Sequence, residues 1–392
     1  MRTLPDNPNL DHLRQQAKDL LAGLRDSDPT VSLADAQASL AKQYGFRAWT
    51  DLKAEVDRLR GHADVADPAL ARAIAERYGF GEVTAPMRST SRSDHMGRPY
   101  LLVTDRGRFA VRTMDNWIPI VDTGTDVALQ QAAASAGVAL PAPARSASGA
   151  IVEEFNGHRW RCNEWLHSGP PLAAPVSAVH TYAVGGILAT VHGLDLPVDR
   201  ISPWHASRLS TVPWVDLAAK AAARGAGWAD ALADAVPTLV DLDTIGQGEP
   251  ASAPVLCHNA LGPGIVRLGP GSRLIVFDWE HAGGQPPSWE LGDALLHWTV
   301  DPGGEVNAAG ARALVEGYRA QAGQVPPLDM TAFSGAATSM ANYVHGEISR
   351  ALDAADDEER RHADRSVQHL LSHLPTRTTL ERLLDVTVVT AS

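Results

Sequence analysis

The chain has 392 residues, of which 44% are apolar, so it can bury a large core and form two or three domains. It carries 46 acidic against 34 basic residues, a formal net charge of -12. Such a surface repels the phosphates of nucleic acids and the headgroups of anionic lipids. We therefore expect neither a nucleic acid nor a membrane as a partner.

Cysteine content and the N-terminal sequence indicate a cytoplasmic protein. Two cysteines occur, Cys162 and Cys257, and we predict buried, reduced thiols rather than a disulfide framework. The N-terminus has no apolar signal core, and no stretch approaches the roughly 20 apolar residues of a membrane span. We therefore expect a soluble, cytoplasmic protein.

The first 60 residues have the apolar spacing of helices. Leucines recur at helical spacing over residues 10–24, and the polar run at 26–29 breaks the pattern. A second helix is predicted over 33–44, with Gly45 as its stop, and a third over 49–59.

The pattern becomes mixed after residue 66 and mainly helical after residue 170. Two helices are predicted in the mixed part, at 70–78 and 126–136. Strands are predicted at 86–91, 98–105, 108–114, 151–155 and 158–166, and later at 264–268 and 274–279. The turns Asp105-Arg106-Gly107 and Asn156-Gly157 are hairpin signals.

This order of elements is that of an α+β, two-lobed protein kinase-like fold. We predict a helical prefix (1–65), a β-rich N-lobe (66–168) and a helical C-lobe (169–392). The leucine stripe of the prefix needs a partner surface. We expect the prefix to cover the N-lobe or another chain, through protein contact or self-association of residues 1–60.

The segment VLCHNALGPGIVRLGPGSRLIVFDWEHAG, at 255–283, resembles the catalytic core of aminoglycoside phosphotransferases and related small-molecule kinases. In that family the loop reads H-x-D, four residues and N, and a hairpin follows that ends in I-D-W or V-D-W. This sequence matches the spacing of that pattern at His258, at Pro263 and at Phe277-Asp278-Trp279-Glu280. The segment ASGAIVEEFNGHRWRCNEWLHSGPP resembles the family's approach to the hinge, and the resemblance covers roughly residues 70–350.

The resemblance implies a distinct chemical role for each motif residue in the cleft between the lobes. In the family the loop aspartate accepts the hydroxyl proton, and the asparagine and the later aspartate hold Mg²⁺. A strand lysine, steadied by an acid on the next helix, holds the nucleotide phosphates. The resemblance therefore assigns Asp278 as a catalytic carboxylate and metal ligand, Arg112 to the lysine position and Asp126 to the helix acid.

Three positions depart from the family pattern. Ala260 stands where the proton-accepting aspartate is expected, and Ile265 stands where the metal-binding asparagine is expected. Arg112 keeps a positive charge but not the shape or reach of lysine, and no lysine occurs between residues 53 and 220 to replace it. Asn259 does not restore the base, because an amide cannot take up a proton.

The other candidate residues have alternative roles. His258 is a catalytic candidate, and a histidine that braces the loop is the alternative. Glu280 is a further catalytic candidate, and a solvated or capping side chain is the alternative. Asp278 has a turn-capping role as its alternative. Four residues are assigned to cofactor binding: Ser91, Arg112, Asp126 and Glu164. For Ser91 an ordinary loop serine is the alternative.

Three functions remain open from the sequence. The favoured one is a degenerate family member that binds a small molecule in the interlobe cleft, either as a non-phosphorylating pseudokinase or for repurposed chemistry. The second is a small-molecule phosphotransferase with a rearranged site, and only this hypothesis implies ATP and Mg²⁺ as cofactors. The third is an interaction protein that acts through the prefix. The sequence does not name the ligand.

Overall fold

The computed structural model describes residues 4–5, 8–60, 64–90, 97–115, 117–354 and 357–387. The described part of the prefix forms three helices, as predicted: Leu10–Arg25 (α1), Leu33–Gln43 (α2) and Trp49–Arg60 (α3). A capping box between Ser32 and Asp35 starts α2. Gly45 follows its end with a φ of 79°, the left-handed conformation that glycine adopts without strain.

The N-lobe is a five-stranded antiparallel sheet with two helices, as predicted. In chain order its elements are Pro68–Tyr78 (α4), Val83–Ser89 (β1), Pro99–Thr104 (β2), Gly107–Thr113 (β3), Thr123–Ser135 (α5), Val152–Phe155 (β4) and His158–Glu164 (β5). The strand order is β1-β2-β3-β5-β4, and Arg112 of β3 is paired with Arg161 of β5. Asn156 and Gly157 join β4 and β5 with φ values of 52° and 76°, which suits a type I′ hairpin turn.

The C-lobe is mainly helical, as predicted. Its described helices are Ala178–His192 (α6), Pro203–Ala206 (α7), Trp214–Ala223 (α8), Ala229–Ile245 (α9), Pro287–Thr299 (α10), Ala308–Ala322 (α11), Ser334–Asp353 (α12), Asp357–Leu371 (α13) and Arg377–Thr387 (α14). Its short strands are Val255–Cys257 (β6), Val266–Leu268 (β7), Leu274–Val276 (β8) and Gly283–Gln285 (β9). β7 pairs with β8 in the predicted hairpin, and β6 pairs with β9.

The largest apolar cluster crosses from the C-lobe into the N-lobe. It contains Leu129 and Ala133 of α5 together with Val276 and Trp279, which flank Asp278. Helix α5 is therefore fixed against the hairpin that carries the candidate site.

Both cysteines are free and buried, as predicted. Among the described helices, none combines the length and apolar character needed to cross a membrane.

The prefix packs on the C-lobe, on the segment just after the connection between the lobes. Gln16 Nε2 donates a hydrogen bond to the carbonyl oxygen of Pro171. The carboxylate of Asp26 accepts a hydrogen bond from the Ala178 N–H at 2.9 Å and so caps α6. One apolar cluster joins the two parts: Ala17, Leu20, Leu40 and Ala173. In the part of the chain that the structure describes, these contacts place the prefix on the C-lobe rather than on the N-lobe, which corrects that prediction, and contact with another chain stays a prediction.

We expect Gly23→Ala in α1 to weaken this docking. A Cβ at Gly23 would lie 2.0 Å from the carbonyl oxygen of Pro175, so α1 would have to move away. Such overpacking costs about 1–3 kcal/mol of unfolding free energy, which denaturant unfolding would measure.

The matched control is Gly346→Ala in α12, because this exposed helical glycine has nothing within 4 Å of an added Cβ. There the substitution should stabilise the protein by up to about 1 kcal/mol. If both variants gained stability equally, the close contact of α1 with Pro175 would contribute nothing.

Candidate active site

The candidate catalytic loop and the hairpin that carries Asp278 meet at His258. His258 Nε2 donates a hydrogen bond to the carbonyl oxygen of Phe277 at 2.9 Å, and its Nδ1 accepts one from the Ala260 N–H at 3.3 Å. The ring packs edge-on against Trp279, with 4.7 Å between the ring centroids. Burial lowers the pKa of His258, so the ring is neutral. These contacts favour the bracing alternative for His258 over the role of a base.

Asp278 lies in the cleft opposite Arg112. It has a φ of 56°, a left-handed conformation that is uncommon outside glycine, and its side chain is 32% exposed. Arg112 Nη1 lies 3.8 Å from Asp278 Oδ1. The residue at the family's lysine position therefore faces the residue at the metal-ligand position.

A buried ion cluster centred on Arg161 lies beside this pair. Arg161 donates from Nη1 and Nη2 to the two carboxylate oxygens of Asp126, each at 2.9 Å. Its Nε lies 3.2 Å from Glu280 Oε1. The three side chains are between 2% and 8% exposed. The helix acid Asp126 is thus bonded to Arg161, a residue that the sequence-based assignment did not include, and its role beside Arg112 stays a prediction.

The cluster makes Glu280 a weak base. Burial acts to raise the pKa of Glu280, but the guanidinium of Arg161, and then that of Arg112, outweigh it and hold the pKa below its usual value. For Asp126 burial prevails over the hydrogen bonds from Arg161, so its pKa is raised. Because a general base works best with a pKa near the operating pH, a lowered pKa does not suit Glu280 to that role.

A third arginine, Arg267 of β7, lies on the strand paired with the one that leads to Asp278. Its Cζ lies 4.9 Å from the ring centroid of Phe277, the residue before Asp278. Burial lowers the pKa of Arg267, although the carboxylate of Asp278 acts in the opposite direction. The Nε of Arg267 is buried, and no described residue accepts a hydrogen bond from it.

A buried glutamate holds the candidate catalytic loop from the other side. Glu290 of α10 accepts a hydrogen bond from the Asn259 N–H at 2.7 Å, and its second oxygen lies 2.7 Å from His192 Nε2. The Nδ1 of His192 lies 2.9 Å from the Tyr318 hydroxyl. Cys257 lies within 4.8 Å of His192 and Glu290, but those two groups are already bonded to each other. The group is therefore a hydrogen-bond network that fixes the loop.

Of the two remaining assigned residues, one lies in the described part of the chain. Ser91 lies outside the described residues. Glu164 ends β5 with an exposed side chain, and its N–H donates to the carbonyl oxygen of Ala142 at 2.8 Å.

The residues present do not fit a Mg²⁺ site of the family's kind. Mg²⁺ requires a nearly octahedral set of oxygen ligands. Ile265 offers no oxygen and packs against the main apolar cluster. Asp278 offers a carboxylate, but Arg112 already lies 3.8 Å from it.

Sequence reasoning missed Arg161, Arg267, His192 and Glu290. Two of them carried a usable signal, because each is a charged residue at a position where neighbouring residues predict burial. Arg161 stands between Trp160 and Cys162 in a predicted strand, and Glu290 stands in the apolar stretch PSWELGDALLHW. A buried charge needs a partner, so both positions indicate an ionic network.

Comparison with known proteins identifies the family of the chain. The phosphotransferase enzyme family (APH) matches residues 92–323, more than half of the chain. Relatives include homoserine kinases from Xanthobacter autotrophicus, 26% identical, and from Bradyrhizobium sp. (strain BTAi1), 25% identical, each over 262 residues. These alignments cover 66% of this chain and 78% and 76% of the two relatives.

Solved structures share the fold. A spectinomycin phosphotransferase in complex with ADP and spectinomycin superposes with a TM-score of 0.59 at 11% identity, covering 82% of this chain and 98% of that one. An amicoumacin kinase in complex with AMP-PNP and Ca²⁺ superposes with a TM-score of 0.53 at 14% identity, covering 85% and 99%. The predicted kinase-like fold is therefore confirmed, and the chain belongs to the APH phosphotransferase enzyme family.

Proposed function

We propose that this chain binds a small molecule in the cleft between its lobes, and that ATP-dependent phosphoryl transfer there is absent or very slow. The observation that carries the proposal is the geometry of the loop. His258 and Glu290 hold the loop in place, yet Ala260 presents only a methyl group where the family has its proton acceptor. General base catalysis is typically worth ~10²–10⁴-fold in rate.

The charges in the cleft support the same conclusion. Phosphoryl transfer needs metal ions to neutralise the charge on the transferring group. Ile265 removes one ligand of the family's metal, and Arg112 lies beside the carboxylate that remains. Two losses that act on one transition state do not add, but they leave little rate above that in solution.

In this proposal Asp278 is the carboxylate that a ligand meets, and His258 and Glu280 shape the cleft without accepting a proton. The cofactor-binding roles of Ser91 and Glu164 stay predictions. The domain boundaries at 65 and 168 and the cytoplasmic location also stay predictions.

The test is a phosphorylation assay with ATP, Mg²⁺ and a panel of hydroxylated small molecules that includes homoserine. We expect no phosphorylated product by mass spectrometry and no ADP release above the background of hydrolysis. The homoserine kinase of Xanthobacter autotrophicus, run in parallel, is the positive control. Product formation that Asp278→Asn abolishes would overturn the proposal.

The second candidate is a small-molecule kinase with a rearranged site, and the homoserine kinase relatives are the observation in its favour. The same assay decides between the two. If turnover is absent, we expect the double change Ala260→Asp with Ile265→Asn to restore little activity, since Arg112 would still face Asp278. Strong recovery of phosphoryl transfer would show that the residues at these two positions alone account for the missing activity.

A further inference from the structure

We propose that the prefix positions the candidate catalytic loop (258–263), because it fixes α6 and β7, the two C-lobe elements on which the supports of this loop depend. The inference goes beyond the proposed function, since it concerns how the cleft is held and not which ligand the cleft takes. It makes Gln16 of α1 and Asp26, the residue that follows α1, positioning residues that act on the loop through other residues.

The prefix caps the start of α6. Ser177, the N-cap residue of α6, makes no side-chain capping hydrogen bond, and the Ala178 N–H donates instead to the carboxylate of Asp26 at 2.9 Å. A carboxylate at this position also interacts favourably with the helix dipole. Asn307, the N-cap residue of the neighbouring α11, donates from Nδ2 to the same carboxylate at 3.4 Å. The starts of both helices are therefore bonded to one residue of the prefix.

The other end of α6 reaches the loop. The helix has 15 residues and therefore spans about 22 Å. Its last residue, His192, lies 2.7 Å from Glu290, which accepts a hydrogen bond from the Asn259 N–H of the loop at 2.7 Å. The backbones of α6 and α11 are in contact, because a Cβ at Gly185 would lie 1.9 Å from the Leu314 carbonyl oxygen. The two helices therefore shift together, and a shift at the start of α6 moves the residue that holds Glu290.

The strand β7 is held by the same helix of the prefix. Gln16 is buried and donates a hydrogen bond to the carbonyl oxygen of Pro171, while its Oε1 accepts one from the Tyr44 hydroxyl at 3.0 Å. Pro171 forms an antiparallel bridge with Arg267 of β7. β7 is one half of the hairpin to which His258 of the loop is hydrogen-bonded. The second support of the loop therefore also depends on a contact with α1.

The loss of the Gln16 amide would act at the contact between the prefix and the C-lobe. It would leave the carbonyl oxygen of Pro171 and the Tyr44 hydroxyl without a hydrogen bond that each makes now. Local opening of a protein requires less free energy than global unfolding. The contact would therefore open before the C-lobe unfolds, and the loop would lose its supports while the rest of the lobe stays folded.

The experiment compares the full-length protein with two variants by hydrogen exchange and mass spectrometry. Gln16→Met removes the route through β7, and Asp26→Ala removes the route through α6. In both variants the peptide that contains the Asn259 amide should exchange about tenfold faster, which corresponds to the loss of about one hydrogen bond. The Leu172 amide, which donates to the carbonyl oxygen of Val266 in β7, should exchange faster in Gln16→Met alone.

Two matched variants serve as controls. Gln15→Met changes the neighbouring glutamine, which is exposed and bonds to Asp19 within α1 at 2.9 Å, so it should leave the exchange of the loop unchanged. Asp26→Asn keeps a side-chain acceptor that suits a helix N-terminus, so it should keep protection that Asp26→Ala loses. The helices α8 and α9 belong to a separate apolar cluster of the C-lobe and give the reference exchange within each variant.

Three results would overturn the inference: native exchange of the loop in both variants, equal acceleration in α8 and α9, or the same loop exchange in Gln15→Met as in Gln16→Met. Equal acceleration would mean that the prefix contributes only general stability. Melting temperatures show whether each variant is folded. Because Asp26 is exposed, Asp26→Ala decides the question even if Gln16→Met does not fold.

Discussion

Arg161→Met is expected to lower the free energy of unfolding by about 3–5 kcal/mol, because it leaves two buried carboxylates without their partner. Arg161 is 2% exposed and holds Asp126 through two hydrogen bonds and Glu280 through a contact of 3.2 Å. Methionine fills a similar volume, so the loss reports the charge rather than a cavity. Chemical denaturation with a circular dichroism signal measures it.

The loss should also depend on pH. Burial raises the pKa of Asp126 above its usual value even beside Arg161, and removing the guanidinium raises it further. A carboxyl whose pKa is higher in the folded state binds more protons there, so its stability contribution falls as pH rises above the unfolded pKa. The deficit of Arg161→Met relative to wild type should therefore be larger at about pH 8 than at about pH 5.

Arg112→Met is the matched control, because Arg112 is the cross-strand partner of Arg161 in the sheet. Its side chain is 20% exposed and its partner Asp278 is 32% exposed. An ion pair of that kind contributes at most about 1 kcal/mol. Equal losses in the two variants would contradict the idea that the buried cluster of Arg161 contributes more to stability than the partly exposed pair of Arg112 and Asp278.

The sequence predicted the order of the elements because most of them have strong local signals. The three helices of the prefix, the hairpin at Asn156-Gly157 and the hairpin that ends at Asp278 all appear where expected. β6 and β9 were missed because each has three residues and they pair across a long stretch of chain. The position of the prefix was missed because an apolar stripe predicts burial without naming the covering surface.

The candidate site was predicted in part. The motif spacing identified His258 and Asp278, and the His258 ring donates a hydrogen bond to the carbonyl oxygen of Phe277, the residue before Asp278. The partners of Asp126 could not be derived from spacing, because Arg112 and Arg161 lie side by side on neighbouring strands. The packing of α5 determines that Asp126 forms its hydrogen bonds with Arg161.

Glu290→Ala is expected to destabilise the protein by about 3–5 kcal/mol and to release the candidate catalytic loop, since it breaks a buried network of charged hydrogen bonds. Glu290 is 1% exposed and binds the Asn259 N–H and His192 Nε2, each at 2.7 Å. Its loss leaves a buried backbone donor unsatisfied at a residue with a φ of 65°. Unfolding free energy and hydrogen exchange of the loop amides measure the two effects.

The expected pH behaviour differs from that of Arg161→Met. Burial acts to raise the pKa of Glu290, but the hydrogen bond and charge of His192 outweigh it, so the pKa lies below its usual value of 4.5. A carboxyl with a lowered pKa contributes its full stability above the unfolded pKa and loses it only as pH falls through the folded pKa. The deficit of Glu290→Ala should therefore stay constant from about pH 8 to about pH 5 and shrink only in more acidic solution.

Glu316→Ala is the control, since Glu316 is an exposed glutamate on α11. Its effect should lie within about 0.5 kcal/mol. If Glu290→Ala were equally mild and the loop amides kept their protection, Glu290 would not be the residue that holds the loop. In that case His258→Ala, which removes the hydrogen bond to the carbonyl oxygen of Phe277, should cause the larger loss.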